Sequence, residues 1–297
     1  MVLSESELET WSHQGSIGQS SSTYESVRNA LNVALNLSNG KNFEVYIQGS
    51  YKNDTNIRGD SDVDIVVQLN STFQYDYLSM TEDEKKRFHQ VYKAEATYLW
   101  NDFRVDVLNS LRSHYGTSSV IEGNKSIKIL GNSSRLKADL IVCLQYRKYQ
   151  NFEPDGNEKY VDGIVFYTRN GNIREVSFPK KHYENGLTKN KETTGWYKPT
   201  VRMFKNIRGV LIDRNVIQKD SVPSYFLECL LYNVPNNEFR TSYQTTFCNA
   251  VNWLAQTNLS SMITQCELSK LFGLSSDYWS EDSAKQFIRS LITLWNG

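Results

Sequence analysis

No stretch of the 297 residues approaches the roughly 18 consecutive apolar residues of a membrane span, and the opening MVLSESELETW has neither a basic nor an apolar leader region. Neither a membrane partner nor export is expected, and the cytoplasm is the expected compartment. Cysteine is scarce. Cys143, Cys229, Cys248 and Cys266 form no C-x-x-C pair and no His-spaced cluster, which argues against a zinc ribbon and against a disulfide framework. Net charge is absent as well, because 33 basic residues cancel 33 acidic ones, so no polyanion-coating surface is expected. Internal repeats and low-complexity tracts are also missing.

What is present suffices for a core. The 39% hydrophobic and 12% aromatic content, over a length beyond the usual single domain, points to two closely packed lobes. Ser22-Thr23-Tyr24-Glu25 has capping-box spacing before SVRNALNVALNLS, which predicts a first long helix. FEVYIQ and DIVVQL read as strands, and Thr81-Glu82-Asp83-Glu84 as the cap of a second long helix running to about Leu111. KSIKIL and RLKADLIVCLQYR are strands separated by GNSS, and VDGIVFYT and IREVSF form a hairpin around RNGN. From about Thr200 helical periodicity takes over, in TVRMFKNIRGVLIDRN, SYFLECLLYNV, TTFCNAVNWLAQ and AKQFIRSLITLWN. The expected fold is α+β, with a mixed-sheet lobe over 1–199 and a helical lobe over 200–297. The polar stretch PKKHYENGLTKNKETTGWYKP between them is expected to be a solvated, flexible loop.

The segment QGSYKNDTNIRGDSDVDIVV concentrates the chemistry. Residues two apart on a strand share a face, so Asp62 and Asp64 project side by side, and two such anions need a proton, a basic partner or a divalent cation. Magnesium takes oxygen ligands and accepts carboxylates together with substrate phosphates. Gly49 allows close backbone approach, and Ser50 opens a short helix whose N–H groups suit a polyphosphate. Asp139 is a lone charge within RLKADLIVCL and needs a partner, which a metal shared with Asp62 and Asp64 supplies. A structural salt bridge is the alternative for Asp139, and a solvated acidic turn for Asp60. An EF-hand loop does not fit, since Ile65 stands where its glycine belongs and Ser71 where its glutamate belongs.

Gly49-Ser50 followed by Ser61-Asp62-Val63-Asp64, with a third Asp on a later strand, resembles the DNA polymerase β nucleotidyltransferase superfamily. With ADLIVCLQYR, VRMFKNIR and PSYFLECLLYNVP, the chain resembles the cGAS/DncV-like nucleotidyltransferases of bacterial anti-phage signalling, most of all their pyrimidine-accepting clade E. The resemblance implies a nucleotidyltransferase lobe with a mixed sheet, closed by a helical lobe. It implies an enzyme that joins two nucleoside triphosphates into a uridine-containing cyclic dinucleotide, cyclic UMP-AMP or cyclic di-UMP, with UTP and ATP the favoured substrates. Asp62, Asp64 and Asp139 would hold two Mg²⁺ ions, for which Mn²⁺ can substitute. Gln48, Gly49 and Ser50 would hold the donor triphosphate with Lys205 and Ser224, Tyr225 would stack on the donor base, and Asn206 would select it. Ser224 is also expected as the N-cap of the helix YFLECLLYNV. No double-stranded DNA activator is expected, since the cysteines offer no zinc-binding insert; accessory proteins of the signalling system and an effector that binds the product are the implied partners. Cyclic dipurine synthesis, linear-product synthesis and a non-catalytic nucleotide-binding subunit remain alternatives. None of His13, His89, His114 and His182 has a place in the constellation, and no general base is assigned.

Overall fold

The computed structural model describes residues 3–15, 17–39, 42–58, 62–153, 158–273 and 278–297. In chain order the elements are α1 (Glu5–Ser12), α2 (Gly18–Asn39), β1 (Phe43–Ile47), α3 (Gly49–Asn53), β2 (Asp62–Asp76), α4 (Glu82–Val91), α5 (Trp100–Tyr115), β3 (Val120–Glu122), β4 (Ile127–Ile129) and β5 (Lys137–Asn151). They continue with β6 (Lys159–Tyr167), β7 (Arg174–Ser177), α6 (Pro179–Glu192), α7 (Tyr197–Asp213), α8 (Ser224–Tyr232), α9 (Tyr243–Gln256) and α10 (Glu281–Asn296). Among the described residues no helix is long and apolar enough to cross a membrane.

Packing divides the chain into two units. One comprises Ile17–Tyr51 and Ser61–Lys181, the other Met1–Ser16, Lys52–Asp60 and His182–Gly297. The sequence places the change of character near Thr200; packing moves it to 181/182 and adds α1 and the 52–60 segment to the helical unit, because side chains of α7 and α8 bind those segments directly.

In the first unit the sheet runs β1-β2-β5-β4-β3, with β6 and β7 continuing from β5. Only β2 and β5 pair in parallel among the described strands; the other pairs are antiparallel. Alternation explains the strands. Val63, Ile65, Val67 and Leu69 are fully buried and belong to one core with Val27 and Leu31 of α2 and Phe103, Val107 and Leu111 of α5. Asp62 and Asp64 take the opposite parity. The predicted hairpin is present as β6 and β7, with Gly171 (φ 80°) and Asn172 (φ 50°) in the left-handed region at its turn.

Two helix predictions in this unit are corrected. The stretch from Thr81 to Leu111 is two helices. Thr81 and Glu84 do form the capping box of α4, but the run 92–99 lacks helical periodicity, and Asp102 accepts from the Leu99 N–H to start α5 afresh. Ser22 and Thr23 do not cap α2, which begins at Gly18; both hydroxyls donate to the Gln19 carbonyl instead.

The helical unit has its own core, to which α7 contributes Val201, Phe204, Ile207 and Leu211, and α10 contributes Phe287, Ile288, Leu291 and Leu294, at helical spacing. The expected flexible loop is corrected as well: PKKHYENGLTKNKE is the helix α6. Pro179 occupies its first position, where a missing N–H costs nothing. Its buried face is His182, Asn185, Gly186 and Lys189, a helical period written in polar residues. Two of its polar side chains bond to neighbouring backbone and side chains: Asn185 donates to the Gln265 carbonyl, and Lys189 to the Val234 carbonyl and Asn236 Oδ1.

Candidate active site

The carboxylates are placed by register. Asp64 on β2 stands opposite Asp139 on β5, and Asp62 opposite Lys137. Neighbouring strands lie about 4.8 Å apart, so all four side chains share one face and one neighbourhood. On the far side of β5, Lys128 of β4 pairs with Asp139 in register, its Nζ 3.8 Å from Oδ2. Lys137 Nζ donates to Asp62 Oδ2 at 2.7 Å. Among the described residues no three His, Cys, Asp or Glu side chains close around a common point, and two lysines flank the carboxylates.

Asp139 is the least satisfied member. Its Oδ1 is buried without a hydrogen-bond partner. Burial pushes its pKa above the ordinary carboxylate value, Lys128 and Lys137 pull against that, and the nearby Asp62 charge adds to the rise. An oxygen that is buried, partnerless and beside other carboxylates suits a hard divalent cation, which would reverse the penalty. The donor set therefore fits magnesium.

The turn that follows β1 sits against these groups. The Gln48 N–H donates to the Asp64 carbonyl at 2.9 Å, which ties the turn to the strand. Gly49 has φ 66°, in the left-handed region, and opens α3. A Cβ on Gly49 would lie 2.1 Å from Asp64 Oδ2, so only glycine lets the carboxylate approach the backbone. Ser50 follows on the same helix. Asp60 and Ser61, the remaining members of the motif, lie outside the described residues. Gly49→Ala is expected to lower stability by about 1–2 kcal/mol through the backbone alone, and to cut kcat/KM at least about tenfold as Asp64 is displaced, a loss of roughly 1.4 kcal/mol in transition-state binding. Parallel thermal unfolding and steady-state assays check both.

The other sequence-assigned residues are in the helical unit and each has a structural engagement there. Lys205 is 1% exposed, and its Nζ lies 2.9 Å from Glu228 Oε1 and donates to the Thr55 carbonyl at 3.0 Å. That ammonium is committed to a buried ion pair. Asn206 directs its amide N–H groups at the Trp11 and Arg202 carbonyls. Ser224 is not the N-cap of α8; Pro223 is, and the Ser224 hydroxyl accepts from Arg208 Nη1. Tyr225 is 42% exposed, with its ring stacked on that of His182.

The sequence reading passes over Glu228 and gives His182 no place in the site. Glu228 is 4% exposed and is the hub of a network: Thr55 Oγ1 donates to Oε1 at 2.7 Å, Asn53 Nδ2 to Oε2 at 3.0 Å, and His182 Nε2 lies 3.0 Å from Oε2. Burial would raise its pKa, but Lys205, His182 and Thr55 together outweigh burial and hold it well below the ordinary range. The available signal was a charged residue inside the apolar run SYFLECLLY, which demands a partner.

Two family models cover most of the chain. Residues 32–147 match the nucleotidyltransferase domain, and residues 184–296 match the cGAS/DncV-like nucleotidyltransferase C-terminal helical domain. The chain is 47% identical over 297 residues to the cyclic UMP-AMP synthase of Rhodothermus marinus, covering 100% of this chain and 99% of that protein. It is 39% identical over 301 residues to the cyclic nucleotide synthase CdnE01 of Staphylococcus haemolyticus, again covering 100% and 99%. Its fold is similar to the solved Rhodothermus marinus CdnE c-UMP-AMP synthase with Apcpp and Upnpp, with TM-score 0.88 and 45% identity, over 99% of this chain and 97% of that one. A nucleotidyltransferase domain with the helical domain proper to one group, and full-length likeness to synthases of that group, leave one assignment: the chain is an enzyme of the cGAS/DncV-like nucleotidyltransferase family, on its CdnE branch.

Proposed function

We propose that this enzyme joins UTP and ATP into cyclic UMP-AMP. The observation that carries the chemistry is the apposition of Asp64 and Asp139 across the parallel β2/β5 pair beside the Gly49 turn, with Asp139 Oδ1 buried and partnerless. Full-length similarity to a cyclic UMP-AMP synthase supports the choice of product. Each of two steps forms a phosphodiester between a ribose hydroxyl and an α-phosphate, breaks the α–β bond, and releases one pyrophosphate and one proton.

Asp62, Asp64 and Asp139 would hold two Mg²⁺ ions, which supply activation of the attacking hydroxyl and charge neutralisation at the leaving pyrophosphate. Lys137 and Lys128 pair with the carboxylates of Asp62 and Asp139, and these ion pairs would have to open for the carboxylates to hold the ions. Gln48 and Gly49 fix the turn that receives the triphosphate, with the Ser50 hydroxyl as a donor. Tyr225 offers its exposed ring to a nucleobase, a contact of roughly 1–3 kcal/mol that suits any base. Lys205 serves by holding Thr55, since contact with phosphate would require it to leave Glu228. Ser224, held by Arg208, is assigned to phosphate contact.

Base choice falls to Asn206, whose amide offers a donor and an acceptor to a base edge. Reading a base would mean releasing its N–H group from the Trp11 carbonyl, so the state of α1 and base preference are coupled. The role we assign is synthesis of a second messenger in the cytoplasm during anti-phage defence, with accessory proteins and a product-binding effector as partners.

Incubation with each labelled NTP and Mg²⁺ or Mn²⁺, followed by nuclease digestion and mass spectrometry, tests the product. The expected result is a phosphatase-resistant ring containing uridine, and a shift towards purines in Asn206→Ser. A product made from ATP and GTP alone, unchanged by that substitution, overturns the uridine assignment. Sensitivity to alkaline phosphatase would identify a linear product instead.

A further inference from the structure

His182 has no place in the phosphoryl-transfer constellation, yet it is fixed more firmly than a helix-surface residue needs to be. It lies in the first turns of α6, is 5% exposed, and reaches Glu228 Oε2 through Nε2 at 3.0 Å. Its Nδ1 is buried with no hydrogen-bond partner. A hydrogen on Nε2 therefore serves the Glu228 carboxylate, whereas a hydrogen on Nδ1 would be a buried donor with nowhere to go. One tautomer and one ring orientation satisfy the site. Glu228 is itself immobilised by Lys205, Thr55 and Asn53.

The locked imidazole lies against Tyr225, with ring centroids 5.1 Å apart and planes 25° from parallel. Tyr225 is the second residue of α8 and retains 42% of its surface. The Tyr225 hydroxyl is hydrogen-bonded to the Cys229 thiol, which holds the tip of the ring; the stack on His182 fixes the tilt of its plane, and without that stack a base landing on the ring would have to order the tilt first. We propose that His182 is a positioning residue, a fixed back plate that holds the Tyr225 ring in the orientation in which its open face receives a nucleobase. This rests on the assignment of Tyr225 to base stacking.

The consequence is a specific pattern in affinity. Loss of the back plate restores the disorder of one side chain, which weakens nucleotide binding about three- to tenfold, raising KM while kcat stays within about twofold. His182→Gln keeps a donor for Glu228 but removes the flat ring; His182→Phe keeps the ring without the donor. A non-hydrolysable UTP analogue with Mg²⁺ is titrated into the full-length wild type, His182→Gln, His182→Phe, Tyr225→Ala and the double variant Tyr225→Ala/His182→Gln, each checked by thermal unfolding. His182→Gln is expected to bind about three- to tenfold more weakly and His182→Phe within about threefold of wild type. The double variant is expected to bind no more weakly than Tyr225→Ala, because a back plate has no value without the plate.

Equal losses from His182→Gln with and without Tyr225 would overturn the proposal, as would wild-type binding by His182→Gln in the presence of a weakened Tyr225→Ala. Wild-type binding by Tyr225→Ala would remove the base-stacking assignment itself, and this inference with it.

Discussion

Asp139→Asn is expected to lower kcat about a thousandfold or more, with a thermal unfolding midpoint equal to or above that of the wild type when no divalent ion is present. Asparagine keeps the shape of the side chain and removes the charge that a metal would need; transition-state charge stabilisation by a bound ion is worth several kcal/mol, or about three powers of ten. The stability half follows from the raised pKa. Burial makes the Asp139 anion costly in the folded state, so the cost is full above the folded pKa, drains away as the pH falls from there to the ordinary carboxylate value, and is removed outright when the charge is deleted. Mg²⁺ should raise the midpoint of the wild type and leave that of Asp139→Asn nearly unmoved, since an ion stabilises only the state that binds it. Asp64→Asn should share the loss of activity. Asp62→Asn should too, at a further stability cost below about 1 kcal/mol, because its pair with Lys137 is partly exposed. Activity of Asp139→Asn within tenfold of wild type, or a midpoint several degrees lower, would remove Asp139 from the metal-binding set.

This opposition between function and stability also explains which parts of the site were legible in the sequence. Asp62 and Asp64 stood out because strand parity alone puts them on one face, and Asp139 because a lone charge in an apolar strand has no comfortable structural reading. Gly49 stood out for a similar reason, and its φ of 66° against the Asp64 carboxylate supplies the cause. Lys205 was legible as important but not as to why. Nothing local reveals that its ammonium meets a backbone carbonyl 150 positions earlier, at Thr55. Hydrophobic periodicity failed on α6 for a physical reason: the buried face of that helix is polar, and its stability comes from hydrogen bonds to Gln265, Val234 and Asn236 rather than from apolar burial. The break between α4 and α5 was missed because Glu84 and Asp102 start helices with the same chemistry, and only their pairing with Thr81 and Leu99 shows that there are two starts.

Glu228→Ala is expected to carry the largest stability cost of any single substitution considered, about 3–5 kcal/mol, because breaking a buried pair strands the other charge. Lys205, at 1% exposure, would keep only its bonds to Thr55, while Asn53 and His182 would each lose an acceptor. Lys205→Met should cost a comparable amount for the converse reason. Replacing both partners with apolar residues, as in Glu228→Leu/Lys205→Met, should recover a substantial part of either loss, since two desolvation penalties vanish together. A double-mutant cycle in urea, with Glu228→Leu and Lys205→Met as its single variants, measures the coupling, and additive losses would mean that the pair contributes nothing beyond its separate packing. The acid limb provides a second readout. Glu228 is held below the ordinary carboxylate value of 4.5, so the unfolded chain takes up its proton first as the pH falls. Its contribution to stability is therefore full above that value and drains away below it, down to the depressed folded pKa. Glu228→Gln should flatten this part of the stability curve while the wild type falls steeply, and an unchanged acid limb in that variant would place the titrating carboxylate elsewhere.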